Sequence, residues 1–356
     1  MLRPKFDWYL ILPALFLLGF GLGIIASVSP SHLPQHLLYI LLALGFFLFF
    51  SFFDLDILFP LSPLIYLLSL LFLILPFLVG TVTRGSVRWI PLGSFTIQPS
   101  EIVKPFLSLL AAWFWTKENF SLKRLFFFSG IFFPAVLLIF LQPDLGSALV
   151  VLSIFGGVLL FSGIKWRQLL LLVLVVGVIF PLAWFTLHDY QKMRIVHFPN
   201  PYSDPLGEGY NLIQSKIAIG SGGIFGRGLG RGTQSHLAFL PEKHTDFIFA
   251  SLAEELGLVG SGIVFGLYLL LFWRILKIAQ QTRQRPLFLL AMGLFFSLFF
   301  QTTVNLGMNI GLLPITGITL PLISYGGSSI LATMISLGIL EAISRQKGEE
   351  RVLEIK

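Results

Sequence analysis

Residues 239–257, FLPEKHTDFIFASLAEELG, bring Glu242, Lys243, His244, Asp246, Glu254 and Glu255 together in a chain of which only 12% is charged. A carboxylate among cations is equipped to take a proton from a hydroxyl while the cations stabilise a departing anion. Its depth follows from what comes next. Residues 256–273 are uncharged and apolar, and as a helix they extend about 27 Å at ~1.5 Å per residue, close to the ~30 Å apolar core of a bilayer. Glu254 and Glu255 then fall near the outer boundary, and Asp246 lies at headgroup depth or in an outward-facing cavity. Thr245 or Asp246 can instead cap the helix, accepting bonds from its unpaired N–H groups. A cap accounts for one Asp, but not for Lys243, His244 and the basic loop that converge on it.

A second polar group opens another apolar run. In QPSEIVKPFLSLLAAWFW, Ser100 suits an N-cap, and Glu101 and Lys104 stand at i, i+3 on one helix face. They form either a self-satisfied ion pair or the wall of a polar cavity. Asp144 in LQPDLG fits a tight turn, with a functional role left open. The run GSGGIFGRGLGRG, with Arg227 and Arg231, lacks the strand and βαβ unit of a dinucleotide site; it is a flexible loop or a backbone cradle for a pyrophosphate. There are no cysteines, and His188, His197, His236 and His244 lack zinc-ligand spacing, so no metal site is expected. Near the C-terminus, NIGLLPITGITLPLISYGGSS mixes Pro314, Pro321, Gly326 and Gly327 with Asn305, Asn309, Ser324 and Ser328. It reads as a broken helix facing a cavity or as packing by small residues.

The elements that hold these residues are membrane helices. The chain is 56% hydrophobic, has a mean hydropathy of +0.88 and contains 38 Phe among 356 residues. That excludes an ordinary soluble domain, whose charged fraction is about 25%. Ten spans fit: 8–28, 37–53, 57–80, 101–116, 125–142, 145–162, 168–187, 246–274, 286–306 and 317–344. The expected fold is an all-α polytopic membrane protein, a single domain over 1–356, with a large extracytoplasmic loop at 188–245 between the seventh and eighth spans. With the N-terminus inside, Arg3 and Lys5 and the basic segments 117–124, 165–167, 274–285 and 345–356 are cytoplasmic, whereas the short outer loops hold only Arg84 and Arg88. This satisfies the positive-inside rule and places both termini in the cytoplasm. The first run is too long for a signal peptide and lacks a cleavage site. Within the long loop, YNLIQSKIAIG sets Tyr210, Ile213 and Ile217 on one face of a short interfacial helix, which either contacts lipid or only packs on the outer surface of the protein. The net charge of +7 suits anionic membrane lipids and does not call for nucleic acid.

In order along essentially the whole chain, RWIPLGSFTIQPSEIVK, DPLGEGYNLIQSKIAIGSGG, FLPEKHTDFIFASLAEELG and LPLISYGGSS resemble the motifs of the SEDS family (shape, elongation, division and sporulation). QSKIAIGSGG and GTQSHLAFLPEKHTDFIF are more similar to its elongation branch than to its division branch. The resemblance implies a ten-helix peptidoglycan glycosyltransferase of the bacterial inner membrane that polymerises lipid II, a disaccharide-peptide on undecaprenyl pyrophosphate. It implies a class B penicillin-binding protein as partner, whose transpeptidase crosslinks the strands. Asp246 matches the family's catalytic Asp, and Glu101 and Lys104 match residues in or beside its central cavity. An α-linked pyrophosphate donor that yields a β-1,4 bond requires inversion, so one base and several cations suffice. The candidate pyrophosphate ligands are Arg88, Lys104, Arg194, Lys216 and Lys243; Asp144, Glu254, Glu255 and Ser324 are secondary candidates. No cofactor is required, and a divalent cation at the pyrophosphate stays open. A lipid II flippase, or a non-catalytic scaffold for the penicillin-binding protein, is the alternative.

Overall fold

The computed structural model describes residues 6–83, 86–93, 95–116, 120–186, 189–207, 209–237 and 239–353. Arg3, Lys5, Arg84, Lys117, His188 and Lys356, used in the sequence reading, lie outside them. Apolar runs fold as helices because lipid offers the backbone no hydrogen-bond partner, so each segment must satisfy itself. In chain order they are α1 (Trp8–Val28), α2 (Leu33–Ser51), the short α3 (Leu55–Leu58), α4 (Ser62–Val79), α5 (Pro99–Ile102), α6 (Lys104–Thr116), α7 (Leu122–Leu141) and α8 (Leu145–Leu160). There follow α9 (Trp166–Ala183), α10 (Asp189–His197), α11 (Tyr210–Gly222), α12 (Thr233–His236), α13 (Ile248–Gln281), α14 (Arg285–Ile310) and α15 (Gly327–Leu353). Among the described residues, seven helices (α1, α2, α4, α7, α13, α14 and α15) are long and apolar enough to cross a membrane. The three other expected segments hold α6, α8 and α9.

Two helices form the centre. α14 and α15 are buried along most of their length, whereas α2 and α4 keep broad apolar faces exposed. α14 packs on α6, α8 and α13, and α15 packs on α2. α1 runs antiparallel to α13. Ser27 meets Glu255 at one end, and Asp7 pairs with Arg274 at the other.

Three features depart from the expected all-helical chain. A small antiparallel sheet follows α4: β1 (Thr81–Thr83), β2 (Ser86–Leu92) and β3 (Phe95–Ile97), in the order β1-β2-β3. Ile90 faces Ile97 and Leu92 faces Phe95 across the β2–β3 pair. Its alternating residues are too few to register against flanking apolar runs. The fourth span is broken at Val103 into α5 and α6, where Pro105 has no N–H to donate back to Glu101. The tenth helix starts at Gly327 rather than at 317, and residues 312–326 are non-helical. Pro314, Gly317, Pro321 and a left-handed Leu322 at φ 68° interrupt it.

A little under half of the long loop is helical, in α10, α11 and α12. α11 matches the expected helix, but its buried face is Leu212, Ser215, Ala218 and Gly222, and Ile217 is exposed. The reason is steric. α11 packs on α13 so closely that a Cβ on Gly222 would lie 2.0 Å from the Ala253 carbonyl oxygen, so the small-residue face turns inward.

α13 is kinked at Gly257, whose φ of 65° and ψ of −162° interrupt the helix. A Cβ there would sit 2.3 Å from the Gly226 nitrogen. Gly257→Ala should therefore cost about 2 kcal/mol or more in strain and collision, lowering the thermal unfolding midpoint in detergent. Gly262→Ala, with nothing within 4 Å of its added carbon, should leave the midpoint unchanged or raise it.

Candidate active site

Asp246 stands in the irregular segment just before α13, half-buried. Its backbone is held from α14 by two fully buried amides. Asn305 Nδ2 donates to the Asp246 carbonyl at 2.9 Å, and Asn309 Nδ2 donates to the same oxygen at 3.0 Å. Asn309 Oδ1 accepts from the Ala250 N–H at 3.1 Å, so one side chain fixes both the Asp and the first turn of α13. Asn305 also donates to the Ile318 carbonyl at 2.7 Å. From the other side, the Ser324 hydroxyl donates to the Thr245 carbonyl at 2.7 Å and accepts from the Leu320 N–H at 2.8 Å. The Tyr325 N–H donates to the His244 carbonyl at 2.8 Å. Ser324, expected as a possible site residue, is thus spent on backbone. Gly317 lies beside the carboxylate: a Cβ there would be 3.6 Å from Asp246 Oδ2. Glu242, at φ 52°, and Leu322 carry strained left-handed backbone on either side of this contact.

Arg88, Glu101, Lys104 and Asp144 form one buried network. Lys104 Nζ donates to Glu101 Oε1 at 2.5 Å and to Gln301 Oε1 at 3.1 Å. Glu101 also accepts from Ser147 Oγ at 3.4 Å. Asp144 caps α8 through the Ser147 N–H, and accepts from Gln98 Nε2 at 2.7 Å and from Ser100 Oγ at 2.9 Å. Ser100, expected as an N-cap, therefore bonds across to the next hairpin instead. The sheet sets Arg88 with Nη1 3.9 Å from Asp144 Oδ1 and its side chain a quarter exposed.

The two clusters meet through residues 317–329. Gly317 and Ser324 touch the Asp246 segment, Thr319 accepts from Gln301, and Ser328 accepts from the Gln98 N–H. The break in the helix is present, and its non-helical backbone lies where buried polar side chains can satisfy it. Gln301, Gln98 and Ser147 escaped the sequence reading. A Gln at the centre of an apolar helix was the signal available for Gln301.

The remaining candidates lie elsewhere. Arg194 lines a small pocket with His197, Leu212 and Ile315. Lys216 is exposed, and its stem covers Gly311, where a Cβ would be 2.1 Å from its Cε. Lys243 Nζ donates to the Ser235 carbonyl at 2.5 Å; burial pushes its ammonium below the usual lysine range, against the pull of Glu255. Glu254 and Glu255 are fully buried. Glu254 accepts from Gln234 N, Ser235 N and Ser235 Oγ at 2.8 to 3.0 Å. Glu255 accepts from Ser27 Oγ and Gly230 N, and pairs with His236 Nε2 at 2.8 Å. Glu255 holds the glycine-rich loop in place, and Glu254 holds α12, which follows it. The N–H groups of Gly226, Arg227, Gly228 and Gly230 are bonded within the protein, so they do not form a pyrophosphate cradle. Among the described residues no group of three or more His, Asp or Glu could hold a metal ion.

The Lys104–Glu101 pair is buried on both sides, and removing one partner leaves a charge without compensation. Lys104→Met should destabilise the protein by about 3 kcal/mol, and adding Glu101→Gln should restore part of the loss. Thermal unfolding of the single and double variants measures this.

A family model described as cell cycle protein, and named for FtsW, RodA and SpoVE, matches residues 17–349. The peptidoglycan glycosyltransferase MrdB of Escherichia coli K12 is 46% identical over 267 residues, 74% of this chain and 72% of that protein. A probable peptidoglycan glycosyltransferase FtsW of Coxiella burnetii is 37% identical, covering 96% of each chain. Among solved structures, a chain from work on the structural coordination of polymerization and crosslinking by a peptidoglycan synthase complex superposes with a TM-score of 0.86. It is 33% identical and covers 97% of this chain and 99% of that one. The crystal structure of the Thermus thermophilus rod shape determining protein RodA gives a TM-score of 0.73 at 30% identity, covering 96% of this chain and 98% of that one.

Proposed function

This chain belongs to the SEDS family of FtsW, RodA and SpoVE; it is a multi-pass membrane peptidoglycan glycosyltransferase of cell elongation, and we propose that Asp246 is its catalytic base. The observation that carries this reading is the clamp. Two buried asparagines fix the backbone of one half-buried aspartate, beside a glycine that leaves its carboxylate room. A cap alone would need no such support.

In this reaction Asp246 takes the proton from the acceptor sugar hydroxyl. The freed oxygen attacks C1 of the donor from the face opposite the pyrophosphate, the C1–oxygen bond to the pyrophosphate breaks, and the lipid pyrophosphate leaves as an anion. Configuration inverts in a single displacement, and no acid is needed for so good a leaving group. Arg88, Arg194 and Lys216, the cations with exposed or half-exposed side chains, receive the developing pyrophosphate charge. Lys104 is buried and bonded to Glu101 and Gln301, so it acts as a fixed positive charge in the cavity wall. Lys243 tethers the loop ahead of Asp246 to Ser235.

The substrate is lipid II, presented from the outer leaflet of the bacterial inner membrane. Ten helices cross that membrane, with both termini cytoplasmic and residues 188–245 outside, in keeping with the charge asymmetry of the loops. A class B penicillin-binding protein is the partner. The supporting observation is the likeness to a chain from a peptidoglycan synthase complex that couples polymerization with crosslinking.

Glycan polymerisation from purified lipid II, with the partner present, tests the assignment. Asp246→Asn and Asp246→Ala should each lower the rate at least ~100-fold, the usual scale for losing a general base, while both still elute as monodisperse species. Undiminished polymer from both variants would return Asp246 to the role of a cap and turn attention to lipid flipping.

A further inference from the structure

His244 lies two residues before Asp246, and its ring is engaged by another element. It stacks on His32, in the turn of 3₁₀ helix ahead of α2, with ring centroids 4.7 Å apart and planes inclined by 20°. Tyr325 packs against both rings, at 4.9 Å from His32 and 5.5 Å from His244. Its hydroxyl donates to Gln35 Oε1 at 2.6 Å, and Gln35 Nε2 donates to the Tyr39 hydroxyl at 3.0 Å. His32 Nδ1 is bonded to Ser29 Oγ at 2.8 Å. His36, fully buried one turn further along α2, lies 5.8 Å from Tyr325 with neither ring nitrogen bonded. α2 and the Asp246 segment therefore meet through a cluster of imidazole and phenol rings that the polymerase chemistry above does not use.

We propose that the His32–His244 stack is a proton-sensitive tether that positions the Asp246 segment against α2. Two neutral rings stack, or one neutral ring on one charged ring. Two imidazolium ions face to face repel, because like charges at this separation oppose each other's protonation. The titratable groups around the pair are Tyr325, which packs on both rings, His36 and Tyr39 on α2, which pack on Tyr325, and Glu242, Lys243 and Asp246, the neighbours of His244 in sequence. Acidification far enough to charge both rings accordingly loosens the tether and lets the base drift from its working position. His32 and His244 are positioning residues in this scheme. Its consequence for catalysis rests on the assignment of Asp246, whereas the tether itself does not.

The chain has no cysteine, so Phe239→Cys, at a position 47% exposed in the same segment, provides a single site for a nitroxide label on the full-length protein. The spectrum is recorded at pH 7.5 and 4.5 with wild-type His32, with His32→Phe, which keeps a ring that cannot be protonated, and with His32→Ala. The expected result is at least a two-fold rise in the mobile fraction on acidification with His32, none with His32→Phe, and a mobile spectrum at both pH values with His32→Ala. Polymerisation should fall at least ten-fold more between those pH values with His32 than with His32→Phe. A wild-type spectrum indifferent to pH, or His32→Phe responding as the wild type does, would overturn the tether. Because the label reports on the segment directly, either result holds even if the Asp246 variants polymerise normally.

Discussion

Two amide groups on α14 carry the site. Asn305 and Asn309 are fully buried and both donate to one carbonyl, that of Asp246. A buried carbonyl without a partner costs about 1–3 kcal/mol, so the irregular segment before α13 can enter the bundle only where such donors wait for it. Asn309 also accepts from Ala250 and thereby starts α13. The direction of a long helix and the placement of the proposed base are thus set by the same side chain. Residues 312–326 extend the principle: their non-helical backbone is satisfied by Gln301, Asn305 and Ser324.

The charge in this apolar chain is distributed by the same economy. Glu254 and Glu255 are taken up by loop amides, hydroxyls and His236. Asp144 is taken up by Gln98, Ser100 and Ser147, and Glu101 by Lys104. Each is a buried carboxylate held by protein partners, although Glu255 Oε2 has none. At Asp246 protein bonds also grip the backbone, and the carboxylate borders the small Gly317. A scaffold that holds the main chain of one aspartate in this way is organised around a position, which the proposed general base would require.

Much of this could be read from residue types alone. Asp246, Glu101 and Lys104 stood out because ionisable groups beside apolar runs are costly, and the prolines and glycines after Asn309 announced a broken helix. The sheet at 81–97 was missed because its strands are short and lie between stronger helical signals. The purposes of Glu254 and Glu255 were hidden because their partners come from a loop about twenty residues earlier and from Ser27 on α1. A glycine-rich run reads as flexible until its amides are seen to be bonded. The face that α11 buries, Leu212, Ser215, Ala218 and Gly222, carried no apolar signal, because close approach to α13 selects small residues. His32 and His36 gave no signal, since single histidines near a helix start are ordinary.

The most direct test of the central claim concerns the clamp rather than the base. Asn309→Leu keeps the volume and removes the amide. The initial rate of glycan polymerisation from lipid II should be compared with wild type in protein that elutes monodisperse and still binds its partner. A loss of about 10- to 100-fold is expected, the cost of a base displaced from its position. A wild-type rate from the folded variant would contradict the clamp, and would mean that the site holds Asp246 by some other means.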